Sequence, residues 1–223
     1  MKNVLFIGNS YTYFNDMPSE YFAKIAESAG VRVNISAITR GGWTLEKHAD
    51  EKTEEGAKIA AAFRENNFDF VVLQEQSLRP AVNPEPFFAA ARTLAQKAKS
   101  NGAEVVFYCT WGRKAGSLKL AEYSMTHESM TDRLSNAYDT AAAELGCTVA
   151  HVGLAFCDIN KNQPQIDLYN EDLSHPSKCG SFLAALTLFA KMFDFDVRKI
   201  AFGADFTKEE NEALKAAAYS AAK

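Results

Sequence analysis

Asn3-Val4-Leu5-Phe6-Ile7-Gly8-Asn9-Ser10-Tyr11-Thr12 opens the chain with five residues of strand character and then breaks into a polar turn. A run that is apolar at nearly every position, rather than at every second one, suits a parallel strand buried on both faces. Residues 68–73 and 104–109 have the same character, and 31–38 and 148–152 complete five candidate strands. Helical patterns lie between and after them, at 17–29, 54–66, 86–100, 129–145, 178–193 and 207–221. Asn15 or Asp16 is expected to cap the first, with Pro18 in its first turn and Gly30 just past its end. Ser177 is the expected cap of 178–193, where Phe182, Leu183, Leu186 and Phe189 recur at helical spacing.

Strands alternating with helices predict a parallel sheet covered on both faces. The expected fold class is α/β: a three-layer α/β/α sandwich on a five-stranded parallel sheet, in the flavodoxin-like order 2-1-3-4-5, as one domain over residues 1–223. With 223 residues, 47% of them hydrophobic, the chain can bury a full core. The stretch 111–128 lacks clear periodicity, so it is expected either to be a functional insertion or to hide a short helix.

Composition excludes several classes. Net charge is −4 and the basic residues are dispersed, so no basic stripe offers itself to a phosphate backbone and no nucleic-acid partner is expected. No apolar stretch approaches the ~18 residues of a membrane span, so no membrane partner is expected. Met1-Lys2 leads straight into the first strand without a basic n-region or apolar h-region. A cytoplasmic protein is therefore expected, or a secreted or periplasmic one if a leader has been trimmed. Cys109, Cys147, Cys157 and Cys179 show no CxxC spacing; the expectation is reduced, mostly buried thiols, with no metal and no cofactor.

In open α/β sheets, ligands collect beyond the carboxyl ends of the strands, where the strand order reverses. For order 2-1-3-4-5 that point lies between strands 1 and 3. Ser10 follows strand 1, Thr39-Arg40-Gly41-Gly42-Trp43 follows strand 2, and Gln74-Glu75-Gln76-Ser77 follows strand 3. Three polar clusters thus share one rim. Late in the chain, Asp172-Leu173-Ser174-His175 places a carboxylate three residues before an imidazole. A serine hydroxyl needs a base to take its proton, and the base needs a partner that fixes its tautomer. Ser10, His175 and Asp172 are the candidate catalytic residues, with Glu171 an alternative carboxylate. The Ser10 N–H, the Gly42 backbone and the Gln76 side-chain amide are candidate donors to an oxyanion, with Gln74 as the alternative to Gln76. Tyr11, Trp43, Trp111 and Tyr169 are candidate substrate-binding aromatics, and Tyr13 and Phe14 fall on the same rim. Arg40, Arg79 and Arg113 lie near these clusters in sequence. Of the other histidines, His48 is expected to be solvated, His127 to sit in a polar stretch, and His151 to be a core or edge histidine.

Taken as ordered blocks, these residues resemble the SGNH, or GDSL-like, hydrolase superfamily. The likeness runs from Gly8-Asn9-Ser10-Tyr11-Thr12, with Asn9 where many members have Asp, through Gly42 in Gly41-Gly42-Trp43-Thr44, to Asp172-Leu173-Ser174-His175. The resemblance implies Ser10 as nucleophile, His175 as base and Asp172 as its orienter. The third block departs: Gln74-Glu75-Gln76-Ser77 stands where most members have Gly-x-Asn-Asp, and Gln76 falls on the oxyanion Asn. The resemblance implies a serine hydrolase but does not carry a substrate with it; the aromatic residues beside polar groups on the rim suit a sugar ring or a small aryl ester, so a serine esterase acting on a short-chain acyl ester is expected, with O-acetyl on a carbohydrate as the leading case. The expected partner is thus a small-molecule or carbohydrate ester. The rival reading is a non-catalytic flavodoxin-like or carbohydrate-binding module using the same rim. A single glycine in the first loop, and no Lys or Arg between Gly8 and Glu20, argue against a phosphate site there.

Overall fold

Side chains of successive strand residues point to opposite faces, and here both faces are apolar. The computed structural model describes residues 1–223 and pairs five parallel strands, β1 (Lys2–Gly8), β2 (Val33–Thr39), β3 (Phe70–Leu73), β4 (Glu104–Cys109) and β5 (Thr148–His151), in the order β2-β1-β3-β4-β5. Val4 and Phe6 of β1, Phe70 and Val72 of β3, and Val106 and Tyr108 of β4 enter one core. The residues between them, Leu5, Ile7, Val71, Leu73, Val105 and Phe107, enter the other. Helix Lys178–Phe193 covers the first face together with Val152–Asn162 and Lys208–Ala221; Glu85–Ser100 and His127–Leu145 cover the second. This is the three-layer α/β/α arrangement, and the register Val4↔Phe70 to Ile7↔Leu73 brings the ends of β1 and β3 level.

The departures from the sequence expectations have local causes. The helix expected over 17–29 begins as a π-type turn, Met17–Phe22, and becomes α-helical only at Ala23–Ser28. Asn15 and Asp16 both adopt left-handed backbone, which their short polar side chains tolerate. Neither caps the helix; Asn15 Nδ2 instead donates to Pro176 O at 3.0 Å and Ser181 Oγ at 2.9 Å. Helix Val152–Asn162 was not expected, although Val152, Ala155, Phe156 and Ile159 follow the i, i+3, i+4, i+7 spacing of a helix. Its polar C-terminal half, Asp158–Asn162, hides that stripe. The 111–128 stretch does contain a short helix, Leu118–Glu122, and the next helix starts at His127 behind a Thr126–Ser129 capping box. Ser177 caps Lys178–Phe193 by accepting from Gly180 N–H. No helix is long and apolar enough to cross a membrane. All four cysteines are unpaired; Cys109 is buried and the other three are half-buried.

One buried bond links the second core to the rim. Glu75 N–H, two residues beyond the end of β3, donates to the hydroxyl of fully buried Tyr138 at 3.0 Å. Tyr138→Phe leaves that N–H without an acceptor, and the expected cost is about 1–3 kcal/mol. Urea unfolding measures it; a midpoint equal to wild type would show that the bond contributes nothing.

Candidate active site

The turn after β1 is held from behind. Gln74 is fully buried, and its Oε1 accepts from Asn9 N–H at 2.8 Å and Thr12 Oγ1 at 2.9 Å. A Cβ on Gly8 would sit 2.5 Å from Thr12 Oγ1 and 2.6 Å from Gln74 Oε1, so only glycine permits this approach. Gly8 O accepts from His48 Nε2 at 2.8 Å and from Arg40 N–H at 3.2 Å. Asn9 then caps the helical turn Ser10–Tyr13, accepting from Tyr11 N–H, while its Nδ2 donates to Trp43 O at 2.8 Å. Ser10 is therefore the first residue of a helical turn whose entry is fixed on all sides.

His175 arrives from the other end of the chain. Its Nε2 lies 2.8 Å from Ser10 Oγ, and its Nδ1 is hydrogen-bonded to Asp172 Oδ2. Asp172 Oδ1 accepts from the N–H groups of Ser174 at 3.0 Å and His175 at 2.9 Å. Burial pushes the Asp172 carboxyl up, but the His175 ring and these two N–H groups outweigh it and hold it below the usual carboxylate range. Glu171 takes no part in this contact. Phe14 stacks on the imidazole with centroids 4.3 Å apart, and Tyr11 meets it edge-on at 5.4 Å. The loop is anchored below by Trp111, whose Nε1 donates to Ser174 O at 3.1 Å. Trp111 itself is sandwiched between Tyr11, at 4.8 Å, and Phe156, at 4.0 Å.

Three donors without a protein acceptor belong to residues that line one cleft with the Ser10 hydroxyl. As the first residue of a helix, Ser10 has an N–H with no intrahelical partner. Gly42, with φ of +70°, leaves its N–H outside the backbone hydrogen-bond network. Gln76 Oε1 accepts from Leu78 N–H and Arg79 N–H, both at 3.0 Å, which assigns the amide orientation and leaves Nε2 free. Ser10, Gly42, Gln76 and His175 line one cleft of about 150 Å³, along with Asn9, Tyr11, Ser77, Arg113 and Ser174.

Glu75 bridges two segments that contribute residues to this cleft. It is fully buried; Oε1 accepts from Gln76 N–H at 2.6 Å and Oε2 from Leu45 N–H at 3.1 Å. It thereby ties the Gln76 loop to the segment that follows Gly42. Burial pushes its carboxyl from 4.5 up to about 7, against those two N–H groups and Arg79, which favour the charge.

Several expected site residues take other roles. Trp111 and Tyr169 are buried core residues and present no ring to a substrate. Tyr11 borders the cleft, but its hydroxyl is engaged with Ser174 Oγ at 2.6 Å. Trp43 is half-buried away from the cleft walls, with Arg40 stacked on it at 4.8 Å. Gln74 uses both ends of its amide internally, Nε2 donating to Glu75 O, so it offers nothing to an oxyanion. His48 is buried rather than solvated, and burial holds its imidazole below the ordinary range. His127 is buried too, between Gly112 O at 2.9 Å and Cys157 Sγ at 3.2 Å. His151 stands partly exposed, 3.0 Å from Asp139. Sequence reasoning missed Glu75 and His48 as supports because their partners lie 30 and 40 residues away.

A solved structure described as an SGNH hydrolase from Slackia heliotrinireducens is 37% identical, over 86% of this chain and 98% of that one, with a TM-score of 0.75. A DUF4886 family protein from Bacteroides uniformis ATCC 8492 superposes with a TM-score of 0.85 at 20% identity, over 99% of this chain and 94% of that one. An acetyl xylan esterase shares the fold at a TM-score of 0.59 and 16% identity, over 82% and 96% of the two chains. No protein-family model matches the chain, and no curated protein does.

The Glu75 carboxyl makes stability depend on pH with a definite sign. Folding raises its pKa, so the native state bears no charge penalty below about 4.5 and the full penalty above about 7. The stability of wild type relative to Glu75→Gln therefore falls as pH rises from about 4.5 to about 7, by up to roughly 3 kcal/mol. Parallel urea titrations of both proteins across this window measure it, and a difference that stays flat with pH refutes it.

Proposed function

We propose, for a chain that belongs to the SGNH hydrolase superfamily, that it is a serine esterase removing a short acyl group through an acyl-enzyme on Ser10. One observation carries the reading: the Ser10–His175–Asp172 relay faces the same small cleft as three free donors. His175 Nε2 takes the hydroxyl proton as Ser10 Oγ attacks the ester carbonyl carbon. Asp172 holds the other ring nitrogen as a donor and stabilises the imidazolium. The carbonyl oxygen becomes an oxyanion and receives hydrogen bonds from the N–H of Ser10, the N–H of Gly42 and Nε2 of Gln76. On collapse, the imidazolium gives its proton to the departing alkoxide, leaving the acyl group on Ser10. Water, deprotonated by His175, then attacks the acyl carbon; the acid departs and Ser10 regains its proton.

Size supports a short acyl group. A cleft of about 150 Å³ is well below the ~300–1,000 Å³ of sites that enclose drug-sized ligands. Gln in place of Asn adds one methylene, and the Gln76 side chain takes it up by folding back onto Leu78 and Arg79. The leading substrate is an O-acetyl ester on a carbohydrate, with exposed Tyr13 as the aromatic face left at the rim.

A fluorophosphonate probe is expected to label wild type and not Ser10→Ala, and only wild type is expected to turn over a short-chain aryl ester. Equal labelling of both would remove Ser10 as nucleophile; an unlabelled, inactive wild type would favour the binding-module reading. Gln76→Ala is expected to lower kcat by ~10- to 1000-fold, the range for losing one oxyanion donor. Gln74→Ala should instead act on folding, at about 1–3 kcal/mol, by orphaning the Asn9 N–H. Steady-state kinetics and unfolding curves on both variants separate the two roles; the opposite pattern would reverse them.

A further inference from the structure

Three arginines approach the rim, and they differ in what faces them. Arg40 lies over Trp43, with Nη1 3.6 Å from Glu54 and 3.8 Å from Glu55. Arg79 donates to Glu46 at 2.7 Å. Lys114, next in sequence to the third arginine, is paired with Asp167 at 2.8 Å. Arg113 has no carboxylate at ion-pair distance. The one protein hydrogen bond of its guanidinium is a long contact of 3.4 Å from Nη2 to Ser77 Oγ, and Nε is buried with no partner. Yet Arg113 and Ser77 both line the cleft that holds Ser10, Gln76 and His175.

A guanidinium drawn part-way out of water without a counter-charge is costly. Elsewhere on this rim the chain supplies the counter-charge itself. At Arg113 it does not, although the side chain is half-buried and lines the same cleft as Ser10. A ligand carboxylate offsets that cost, and the planar fork of a guanidinium matches it with two parallel hydrogen bonds. We infer that Arg113 is a specificity residue: the cleft takes esters that carry a carboxylate close to the scissile bond, and the Arg113 guanidinium receives that carboxylate. The inference rests on the esterase reading above, and deepens it by naming the charge of the substrate.

Two pairs of esters test it on wild type, Arg113→Gln and Arg113→Lys, with hydrolysis followed by pH-stat. Monomethyl succinate against methyl pentanoate puts the anion on the acyl side; 4-acetoxybenzoate against phenyl acetate puts it on the leaving group. In wild type, kcat/KM is expected to favour the charged member of one pair. Arg113→Gln should lower that charged-to-neutral ratio by ~10- to 100-fold, the loss of a hydrogen bond between charged groups, and Arg113→Lys should restore part of it. The pair whose ratio moves identifies the side of the ester that Arg113 reads. A ratio unmoved in both pairs overturns the inference. So does an equal fall on charged and neutral esters, which would make Arg113 an oxyanion or structural residue. If Arg113→Gln does not fold, wild type decides alone. Succinate or 4-hydroxybenzoate should then inhibit neutral-ester hydrolysis competitively, less so as salt rises; no inhibition and no preference for a charged ester overturn it. Fluorophosphonate labelling separates the two readings: a labelled wild type without charge preference fails only the Arg113 inference, whereas an unlabelled wild type inert to all four esters fails both.

Discussion

The carbonyl oxygen of the Gln74 side chain is the constraint on which the site depends. It reaches across the gap where the strand order reverses, from the end of β3 to the turn after β1, and satisfies Asn9 N–H and Thr12 Oγ1 together. A buried amide in contact with two donors has no better alternative, because unmet hydrogen-bonding groups in the interior are costly. With that turn set, the Ser10 hydroxyl has one direction to face. The glycine at position 8 is the steric counterpart of the same contact, since any side chain there would occupy the space the amide needs.

Two carboxylates then do different work because their surroundings differ. Asp172 is partly exposed and held by the His175 ring and two backbone N–H groups, which keep it ionised and the imidazole oriented. Glu75 is fully buried, and its charge is opposed by desolvation even as it braces the Gln76 loop and the segment after Gly42. Aromatic packing completes the frame. The Tyr11–Trp111–Phe156 stack runs from the serine's helical turn to the helix Val152–Asn162, and its central indole holds the loop that carries His175.

Much of this was legible because it is local. Continuous apolar runs announce doubly covered parallel strands, and strand–helix alternation leaves few topologies once crossovers are right-handed. Ser10 at the end of the first strand, and Asp172 three residues before His175, are readable as spacing. What escaped was decided by distant partners. Trp111 and Tyr169 look like rim aromatics until Phe156 and Asn160, on a helix whose apolar stripe is half hidden, close over them. His48 sits among charges in sequence, yet its ring turns inward to Gly8 O. Gln74 and Gln76 are indistinguishable as residue types; one is consumed by the Asn9 turn, the other is pinned at its oxygen by Leu78 and Arg79, so its nitrogen is left over.

By itself the sequence determined the layered α/β architecture, the rim on which ligands collect, and the residue types able to supply a nucleophile, a base and its orienter. These follow from periodicity and from spacing along the backbone, which operate over a few residues. Only the tertiary structure decided which glutamine keeps a free amide, which aromatics are core, and which of three arginines is left without a carboxylate. Those outcomes depend on who meets whom in space, as when Gln74 reaches Asn9 across 65 positions of chain and Arg79 reaches Glu46 across 33, and hydrogen-bond satisfaction and charge compensation are properties of the meeting, not of either residue alone.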